Sequence, residues 1–217
     1  MIAILNPNST ASMTRAMLAA ARAAAPDLAF EGWTSEEGPP AIQGPADGKA
    51  AAGPLIALAK RAADGGAQGI IIGCFDDTAL QAVVAAVPCP VIGIGQAAFT
   101  NAALRQWRFS VVTTLPVAVP VIEANIARYG FAAHLGRVRA ADVPVLALDH
   151  DPGAACAPIL AQARAALADE APHAIVLGCA GMVALTARMR AALPVPVIDP
   201  VEAAATCMRW LVPDAAS

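Results

Sequence analysis

The sequence has few charged residues and no long uninterrupted apolar segment. Asp, Glu, Lys and Arg make up 14% of the 217 residues, the net charge is −3, and the basic residues are scattered. Nucleic-acid-binding proteins usually carry a basic face, so we expect no nucleic-acid partner. The longest apolar stretch, 82–95, is interrupted by Pro88 and Pro90 and is shorter than the roughly 18 residues of a membrane helix. The amino terminus lacks the features of a signal peptide. We therefore expect a cytoplasmic protein without a membrane segment.

Paired cysteines and metal-ligand motifs are also absent from the sequence. Its five cysteines form no C-x-x-C motif, and its three histidines show no ligand spacing to one another or to the cysteines. An odd number of cysteines in a cytosolic protein argues against a disulfide framework. The spacing argues against a zinc site. The cysteines are therefore predicted to be either buried packing residues or reactive thiols.

Short β-branched segments alternate with longer alanine-rich segments of helical period. The first predicted strand, Ile2 to Leu5, precedes a predicted helix from about Ala11 to Ala25, and similar pairs follow along the chain. Apolar strands that alternate with helices are typical of parallel sheets in an α/β fold. Ligands bind such sheets beyond the carboxyl ends of the strands. A segment rich in Gly, Pro and Glu, 35–48, is predicted to be a long loop near such a site.

An internal repeat is the strongest signal in the sequence. The segments 69–74 and 174–179 are both apolar strands that end in Gly-Cys, and further matches follow at nearly the same offset, such as Pro88-Cys89-Pro90-Val91 with Pro194-Val195-Pro196-Val197. The chain is therefore predicted to be a duplicated α/β half of about 100 residues. Two such halves packed around a pseudo-twofold axis would place one thiol on each side of a shared cleft.

Cys74 and Cys179 are the candidate catalytic residues. Two opposed acid–base groups invert a stereocentre, because one removes a proton from one face and the other returns a proton to the opposite face. Each cysteine precedes a predicted helix, whose N-terminus is expected to lower a thiol pKa from its reference value of about 8.5. The alternative is that both thiols are packing residues, the commoner role of such a cysteine. Cys89, Cys156 and Cys207 have no repeat partner and are assigned to packing.

Several motifs together resemble the aspartate/glutamate/hydantoin racemase superfamily, most closely its hydantoin and allantoin racemase branch. They are the segments 6–10, 73–77, 93–98, 109–114, 177–182 and 197–204, and the resemblance runs nearly the full length. It implies two flavodoxin-like parallel-sheet domains with the active site between them. Residues 1–97 plus 200–217 would form the first half, and residues 98–199 the second. The resemblance also implies no metal, no pyridoxal phosphate or other cofactor, a small-molecule substrate and a homo-oligomer.

The resemblance further implies roles for individual residues. Cys74 and Cys179 would transfer the protons. Side chains of the first and fifth strands would line the cleft, and backbone amides after each cysteine would hold the substrate's carbonyl oxygen as it gains enolate charge. The implied substrate-binding residues are Asn8, Ser9, Thr10, Phe75, Asp76, Thr113, Thr114, Ala180 and Gly181.

Two departures from the family pattern bear on the substrate. Ala180-Gly181 stands where glutamate racemases have a Thr-His pair, which favours a neutral cyclic imide such as hydantoin over a charged amino acid. Asp76 stands where many hydantoin racemases have Gly or Ser, and it indicates a different substituent at the reacting carbon. Asp77 is expected to cap a helix start.

Three alternatives remain open from the sequence. The first is an aspartate or glutamate racemase, and the second is another enzyme of the superfamily, namely a cysteine-dependent isomerase or a decarboxylase. Decarboxylases of the group keep one of the two cysteines, and the isomerases act on dicarboxylates, for which this chain has no evident cluster of Arg or Tyr. The third is a non-catalytic small-molecule binding protein with two inert thiols.

Overall fold

The structure, a computed structural model that describes residues 1–212, contains two four-stranded parallel sheets. The first has the strand order β2-β1-β3-β4 and the second the order β6-β5-β7-β8, so the second sheet repeats the topology of the first. The predicted duplicated α/β fold is thereby confirmed. The strands are β1 (Ile2–Asn6), β2 (Phe30–Thr34), β3 (Gly69–Ile72), β4 (Val91–Gly93), β5 (Phe109–Thr113), β6 (Leu135–Ala140), β7 (Ala174–Gly178) and β8 (Val197–Ile198).

Helices connect the strands, as parallel pairing requires. They are α1 (Ala11–Ala24), α2 (Pro45–Asp64), α3 (Leu80–Ala86), α4 (Ile94–Leu104), α5 (Val119–Arg128), α6 (Val145–His150), α7 (Pro152–Glu170), α8 (Thr186–Ala192) and α9 (Pro200–Leu211), with short 3₁₀ segments at Pro116–Ala118, Ala132–His134 and Ala180–Leu185. Among the described residues, no helix has the length and apolar character needed to cross a bilayer.

The sequence pattern predicts helices from about Lys49 to Asp64, from Thr78 to Ala86 and from Met182 to Leu193, and the structure differs at the start of each. The helix α2 begins at Pro45 rather than near Lys49, because Gly44 precedes it and a proline is favoured in the first helical turn. The loop over the site therefore spans 35–44. The helix α3 begins at Leu80 rather than Thr78, since the preceding backbone has a positive φ. The short α6 was not predicted, and the helix predicted from Met182 is a 3₁₀ segment followed by α8.

The hydrophobic core is continuous between the two sheets. The central strands β1, β3, β5 and β7 are buried along their whole length, as expected for parallel strands covered on both faces. Phe99 of α4 is fully buried in this core. Its ring lies 5.4 Å from that of Phe75 in the first half and 5.6 Å from that of Phe109 in the second. The two halves therefore share one core through α4.

The helix that follows the last strand of each sheet packs against the other sheet's half. The helix α4 follows β4 of the first sheet but contacts β7 and β8 of the second, and α9 follows β8 but contacts α1 and β3. The two helices also pack on each other. These contacts support our proposal that 1–97 plus the C-terminal helix form one half and 98–199 the other; residues 213–217 of that division lie outside the described residues.

A buried carboxylate caps the N-terminus of α9. Oδ1 of Asp199 accepts hydrogen bonds from the amides of Val201 (2.8 Å) and Glu202 (3.1 Å), and Oδ2 accepts one from the Thr186 hydroxyl at 2.5 Å. In the sequence repeat, the residue equivalent to Asp199 in the first half is Gly93. The first half therefore has no carboxylate at this position with which to cap the equivalent helix, α4.

Asp77 supplies the missing cap from another part of the first half. Its carboxylate accepts hydrogen bonds from the amides of Gly95 (3.0 Å) and Gln96 (2.8 Å), the first-turn amides equivalent to those that Asp199 caps. A Cβ at Gly93 would lie 1.9 Å from Oδ1 of Asp77. The Asp77 carboxylate can therefore occupy this position only because residue 93 is a glycine. Asp77 is a helix cap, as expected, but of α4 rather than of the helix that follows it.

The buried caps predict how stability depends on pH. Burial raises the pKa of Asp77 from 3.8 to about 7, although hydrogen bonds from Tyr129, Gln96 and Gly95 act in the opposite direction. A carboxyl whose pKa is higher in the folded state stabilises the fold fully below its unfolded pKa, and this contribution is lost as the pH rises through the folded value. We therefore expect the free energy of unfolding of the wild type, minus that of Asp77→Asn, to decrease from about pH 4 to about pH 8.

Urea denaturation at several pH values measures this difference. Asp27→Asn is the matched control, because the hydrogen bond from Arg209 lowers the pKa of the Asp27 carboxyl to about 2. A carboxyl of that kind keeps its contribution throughout this pH range and loses it only at lower pH. A difference for Asp77→Asn that grows with pH would contradict the raised pKa.

Candidate active site

The candidate active site is a cavity between the two sheets at the carboxyl ends of their strands. Cys74 follows β3 and Cys179 follows β7, the strands that hold the same place in the two sheets. Both cysteines are part of the cavity wall, and both keep partial exposure. The structure thus brings the two candidate thiols to one cavity from opposite halves, as the sequence repeat predicts.

Both glycines that precede the cysteines are closely packed, Gly178 against backbone and Gly73 against the flexible Met17 side chain. A Cβ at Gly73 would lie 2.6 Å from Sδ of Met17, and a Cβ at Gly178 would lie 2.8 Å from the backbone oxygen of Val112. Real Cβ atoms do not approach neighbouring atoms so closely, so a side chain would displace the strand end. The Gly-Cys pair in each half therefore sets the position of the thiol at the cavity.

Both thiols have raised pKa values and are therefore protonated at neutral pH. Burial, followed by the negative charge of Asp76, raises the pKa of Cys74 well above its ordinary value. Burial raises the pKa of Cys179 to about 11, and Asp76 contributes in the same direction. The expected lowering of the thiol pKa values by helix N-termini is therefore wrong for the substrate-free site.

The local backbone explains why the helix N-termini do not dominate. Residues 75–79 separate Cys74 from α3, so the first turn of that helix lies away from the thiol. The amides of Gly181 and Met182, at the start of the 3₁₀ segment, do lower the pKa of Cys179, but burial outweighs them. Thr78 and the Asp76 amide lower the pKa of Cys74 in the same way, but the Asp76 carboxylate opposes them through both its charge and a hydrogen bond to that thiol, whereas only its charge acts on Cys179. Cys179 is therefore the more readily ionised thiol.

Asp76 lines the cavity and is held in place by two neighbours. Its Oδ1 accepts hydrogen bonds from the Thr78 amide (3.0 Å) and the Thr78 hydroxyl. Its backbone oxygen accepts one from the Asn125 side chain of α5 at 2.6 Å. The carboxylate is therefore fixed at the wall of the cavity.

Asn8 is the residue of the first strand's loop that lines the cavity. Its Oδ1 accepts hydrogen bonds from Asn6 Nδ2 and from the Thr10 amide, both at 2.9 Å. Its Nδ2 donates to Sδ of Met13 at 3.6 Å. This network holds the Asn8 amide group against the cavity.

Ser9 and Thr10 have a different place from the one expected. The Ser9 amide donates to the Pro39 backbone oxygen at 3.0 Å, and the Thr10 hydroxyl donates to that of Pro40 at 2.7 Å. Among the described residues, neither belongs to the cavity lining. They fasten the loop 35–44, because their positions after β1 face that loop rather than the cleft.

The remaining candidate residues lie where the sequence placed them. Thr113, Thr114, Phe75, Ala180 and Gly181 all line the cavity. The Thr113 hydroxyl donates to the backbone oxygen that directly precedes Cys179, at 2.9 Å, so it also fixes the end of β7. The Phe75 ring is buried in the core.

Several lining residues were not found from the sequence. They belong to α1, to the loop 35–44, to α5 and the segment before it, and to α6. These residues are Met13, Ile42, Gln43, Gly44, Ala118, Val121, Ile122 and Val145. Most are apolar and carry no local motif, so only the composition of the 35–48 segment gave any signal. Oε1 of Gln43 accepts a hydrogen bond from the Val145 amide at 3.1 Å and links the two halves at the cavity.

The part of the site that the structure describes holds neither a metal-binding cluster nor a basic side chain. Within residues 1–212, no group of three or more His, Cys, Asp or Glu side chains is arranged to hold a metal ion. None of the described residues that line the cavity is a Lys, Arg or His. The cavity therefore offers two thiols, one carboxylate, polar neutral groups and an apolar wall.

Comparison with known proteins gives consistent matches over nearly the whole chain. The family described as Asp/Glu/Hydantoin racemase matches residues 2–208. A hydantoin racemase of Rhizobium meliloti is 42% identical over 204 residues, which is 94% of this chain and 85% of that protein. A hydantoin racemase of Paenarthrobacter aurescens is 32% identical over 97% of this chain and 90% of its own length.

Solved structures of similar fold include an allantoin racemase from Klebsiella pneumoniae. It superposes with a TM-score of 0.92 at 37% sequence identity, and the match covers 97% of this chain and 86% of that one. The similarity therefore extends over both halves and includes the strand ends that carry the cavity.

The raised pKa values predict slow alkylation of both thiols at neutral pH. The thiolate is the species that reacts with iodoacetamide, so the rate at Cys179 should rise about tenfold for each pH unit between about pH 7 and pH 10. Cys179 should react before Cys74, and Asp76→Asn should accelerate both because it removes a negative charge. Peptide mass spectrometry follows each site, with buried Cys156 as the control. Fast, pH-independent modification of both thiols would contradict the prediction.

Proposed function

Because the chain belongs to the Asp/Glu/hydantoin racemase family and is a racemase, we propose that its substrate is a hydantoin with one substituent on the ring carbon C5. The curated relatives named hydantoin racemase and the solved allantoin racemases support this substrate class. The alternative of a binding protein with inert thiols is set aside by the family. The finer choice among racemase substrates depends on the chemistry of the cavity.

A cavity without basic side chains favours a neutral substrate. Among the described lining residues, no Lys, Arg or His is present to pair with the carboxylates of aspartate, glutamate or another dicarboxylate. Recognition of carboxylates in proteins usually relies on such groups, Arg above all. Gly181 and Ala180 add no charged side chain beside the second thiol. This lack of a carboxylate partner is the observation that carries the proposal.

The proposed reaction is a two-base proton transfer at C5 through Cys74 and Cys179. The thiolate of one cysteine takes the C5 proton, and the electron pair of the broken bond moves onto the adjacent carbonyl oxygen. The thiol of the other cysteine then gives its proton to the opposite face of C5, and the carbonyl is restored. Each turnover leaves the two cysteines with exchanged protonation states and oxidises nothing.

Both thiols are neutral in the resting enzyme, and Cys179 is proposed to lose its proton to solvent first and then to act as the first base. The amides of Gly181 and Met182 favour its thiolate, whereas the Asp76 carboxylate disfavours the thiolate of Cys74. The enolate oxygen is proposed to receive hydrogen bonds from the backbone amides that directly follow the cysteines. Preorganised donors of this kind stabilise a developing oxyanion without reorganisation.

A homo-oligomer is also proposed. Leu104 and Trp210 are large apolar side chains that are 72% and 63% exposed. They occupy equivalent positions at the C-terminal ends of α4 and α9 in the two halves. Exposed apolar groups of this size are typical of protein–protein contacts. Sedimentation velocity measures the assembly directly, and the cytoplasmic location expected from the sequence stays a prediction.

Proton exchange and optical rotation test the proposed reaction together. The wild type in D2O should racemise a single enantiomer of a 5-substituted hydantoin while deuterium enters at C5. Cys74→Ser and Cys179→Ser should each lower the racemisation rate by roughly 10² to 10⁴, since each removes one of the two acid–base groups. Polarimetry and proton NMR, corrected for spontaneous racemisation, provide the measurement.

Cys89→Ser is the matched control for these variants. Cys89 is also a partly exposed free thiol, but it lies in the turn between α3 and β4, so its loss should leave the rate unchanged. Full activity in either catalytic-site variant would contradict the two-cysteine mechanism. Activity on aspartate or glutamate with none on hydantoins would contradict the proposed substrate.

A further inference from the structure

One charged side chain stands out in the cavity. Among the described residues that line it, Asp76 alone is ionisable as a carboxylate, and no basic residue accompanies it. The salt bridges within residues 1–212 also do not include Asp76. A partly buried carboxylate without a cationic partner has lost water without full compensation. Such a group favours a ligand that brings hydrogen-bond donors or positive charge.

The carboxylate is oriented so that one oxygen is occupied and the other is available. Both Thr78 donors contact Oδ1. Within the described part of the chain, no N–H or O–H group donates to Oδ2 within hydrogen-bond distance. Oδ2 also does not belong to the fully buried atoms without a partner. It is therefore accessible, and a donor that enters the cavity competes at the carboxylate with the thiol of Cys74, a weak donor whose hydrogen bond with Asp76 contributes to the raised pKa of that thiol.

The first turn of α2 leaves room beside that oxygen. A Cβ added at Gly48 would lie 3.8 Å from Oδ2 of Asp76, and no other atom would lie within 4 Å of it. The space next to Oδ2 is therefore lightly filled. Room therefore remains on this side of the carboxylate for a group that approaches Oδ2.

We propose that Asp76 is a specificity-determining residue whose Oδ2 accepts hydrogen bonds from N–H groups on the C5 substituent of the substrate. The inference rests on the proposed hydantoin racemase function. It assigns the preferred substrates to hydantoins whose substituent carries neutral N–H donors, such as a ureido group. Hydantoins with purely alkyl or aryl substituents leave the carboxylate unpaired and are poorer substrates.

The same contact also affects the chemistry, because Asp76 acts on both thiols. Its negative charge contributes to the raised pKa of Cys74 and of Cys179. A donor bound at Oδ2 offsets part of that charge, so it makes ionisation of a thiol easier. The preference for donor-bearing substrates should therefore be visible in kcat as well as in KM.

Two substrates of the same heavy-atom shape test the proposal. A ureido group and an isobutyl group have the same branching, but only the ureido group carries N–H donors. The measurement is the ratio of kcat/KM for 5-ureidohydantoin to that for 5-isobutylhydantoin, corrected for spontaneous racemisation. Comparing this ratio between variants cancels the different intrinsic acidities of the two C5–H bonds.

Asp76→Asn should lower this ratio by roughly tenfold to a hundredfold, the range of a hydrogen bond to a charged acceptor. Asp76→Ser is the second variant, in case the amide is poorly accommodated beside Thr78. Asp64→Asn is the charge control, because it removes a carboxylate at the exposed far end of α2, about 30 Å along that helix from the cavity. It should leave the ratio unchanged.

The outcomes separate the inference from the function on which it rests. A ratio that falls in both Asp76 variants but not in Asp64→Asn supports the proposal. Equal loss of activity on both substrates, with an unchanged ratio, overturns it and indicates a general structural role for Asp76. An unchanged ratio at full activity also overturns it. If the wild type racemises no hydantoin at all, the proposed function fails and this inference fails with it.

Discussion

The capping of α4 by Asp77 is the contact on which the geometry of the site depends. The carboxylate lies in the same loop as Cys74 and Asp76, and it binds the amides that begin the helix joining the two halves. Tyr129, which directly follows α5, donates a hydrogen bond from its hydroxyl to the same carboxylate at 2.8 Å. The loop of the first thiol is thereby attached to two helices of the second half. One carboxylate thus links the loop that carries Cys74 to α4 and to the end of α5.

The packing of the halves also determines the electrostatics of the cavity. Burial of Cys74 and Cys179 removes water that would stabilise their thiolates, so both thiols rest in the neutral form. A fully solvated pair would ionise more easily but would lose its proton to solvent as readily as to a substrate. The amides beside Cys179 give the two chemically similar thiols different tendencies to ionise.

The sequence predicted the features that depend on local pattern and on the repeat. Alternating strands and helices, the duplication and the approach of Cys74 to Cys179 all followed from it, because strand ends in parallel sheets meet at one edge. The places of Ser9 and Thr10 did not follow, since they depend on a loop that packs against them from elsewhere in the chain. The thiol pKa values were also missed, because desolvation depends on how tightly the halves close. The apolar wall, such as Val121, carries no motif at all.

The two halves cap equivalent helices with a carboxylate from different positions in the sequence repeat. In the second half the capping carboxylate belongs to Asp199, at the end of β8. In the first half it belongs to Asp77, in the loop that follows Cys74, and the residue equivalent to Asp199 is Gly93. The two arrangements exclude each other, because a carboxylate on residue 93 would occupy the volume that Asp77 fills. A path of single substitutions from one to the other therefore passes through either an uncapped helix or two carboxylates in one place. Single substitutions at residues 77 and 93 therefore cannot make the two halves alike without an unfavourable intermediate.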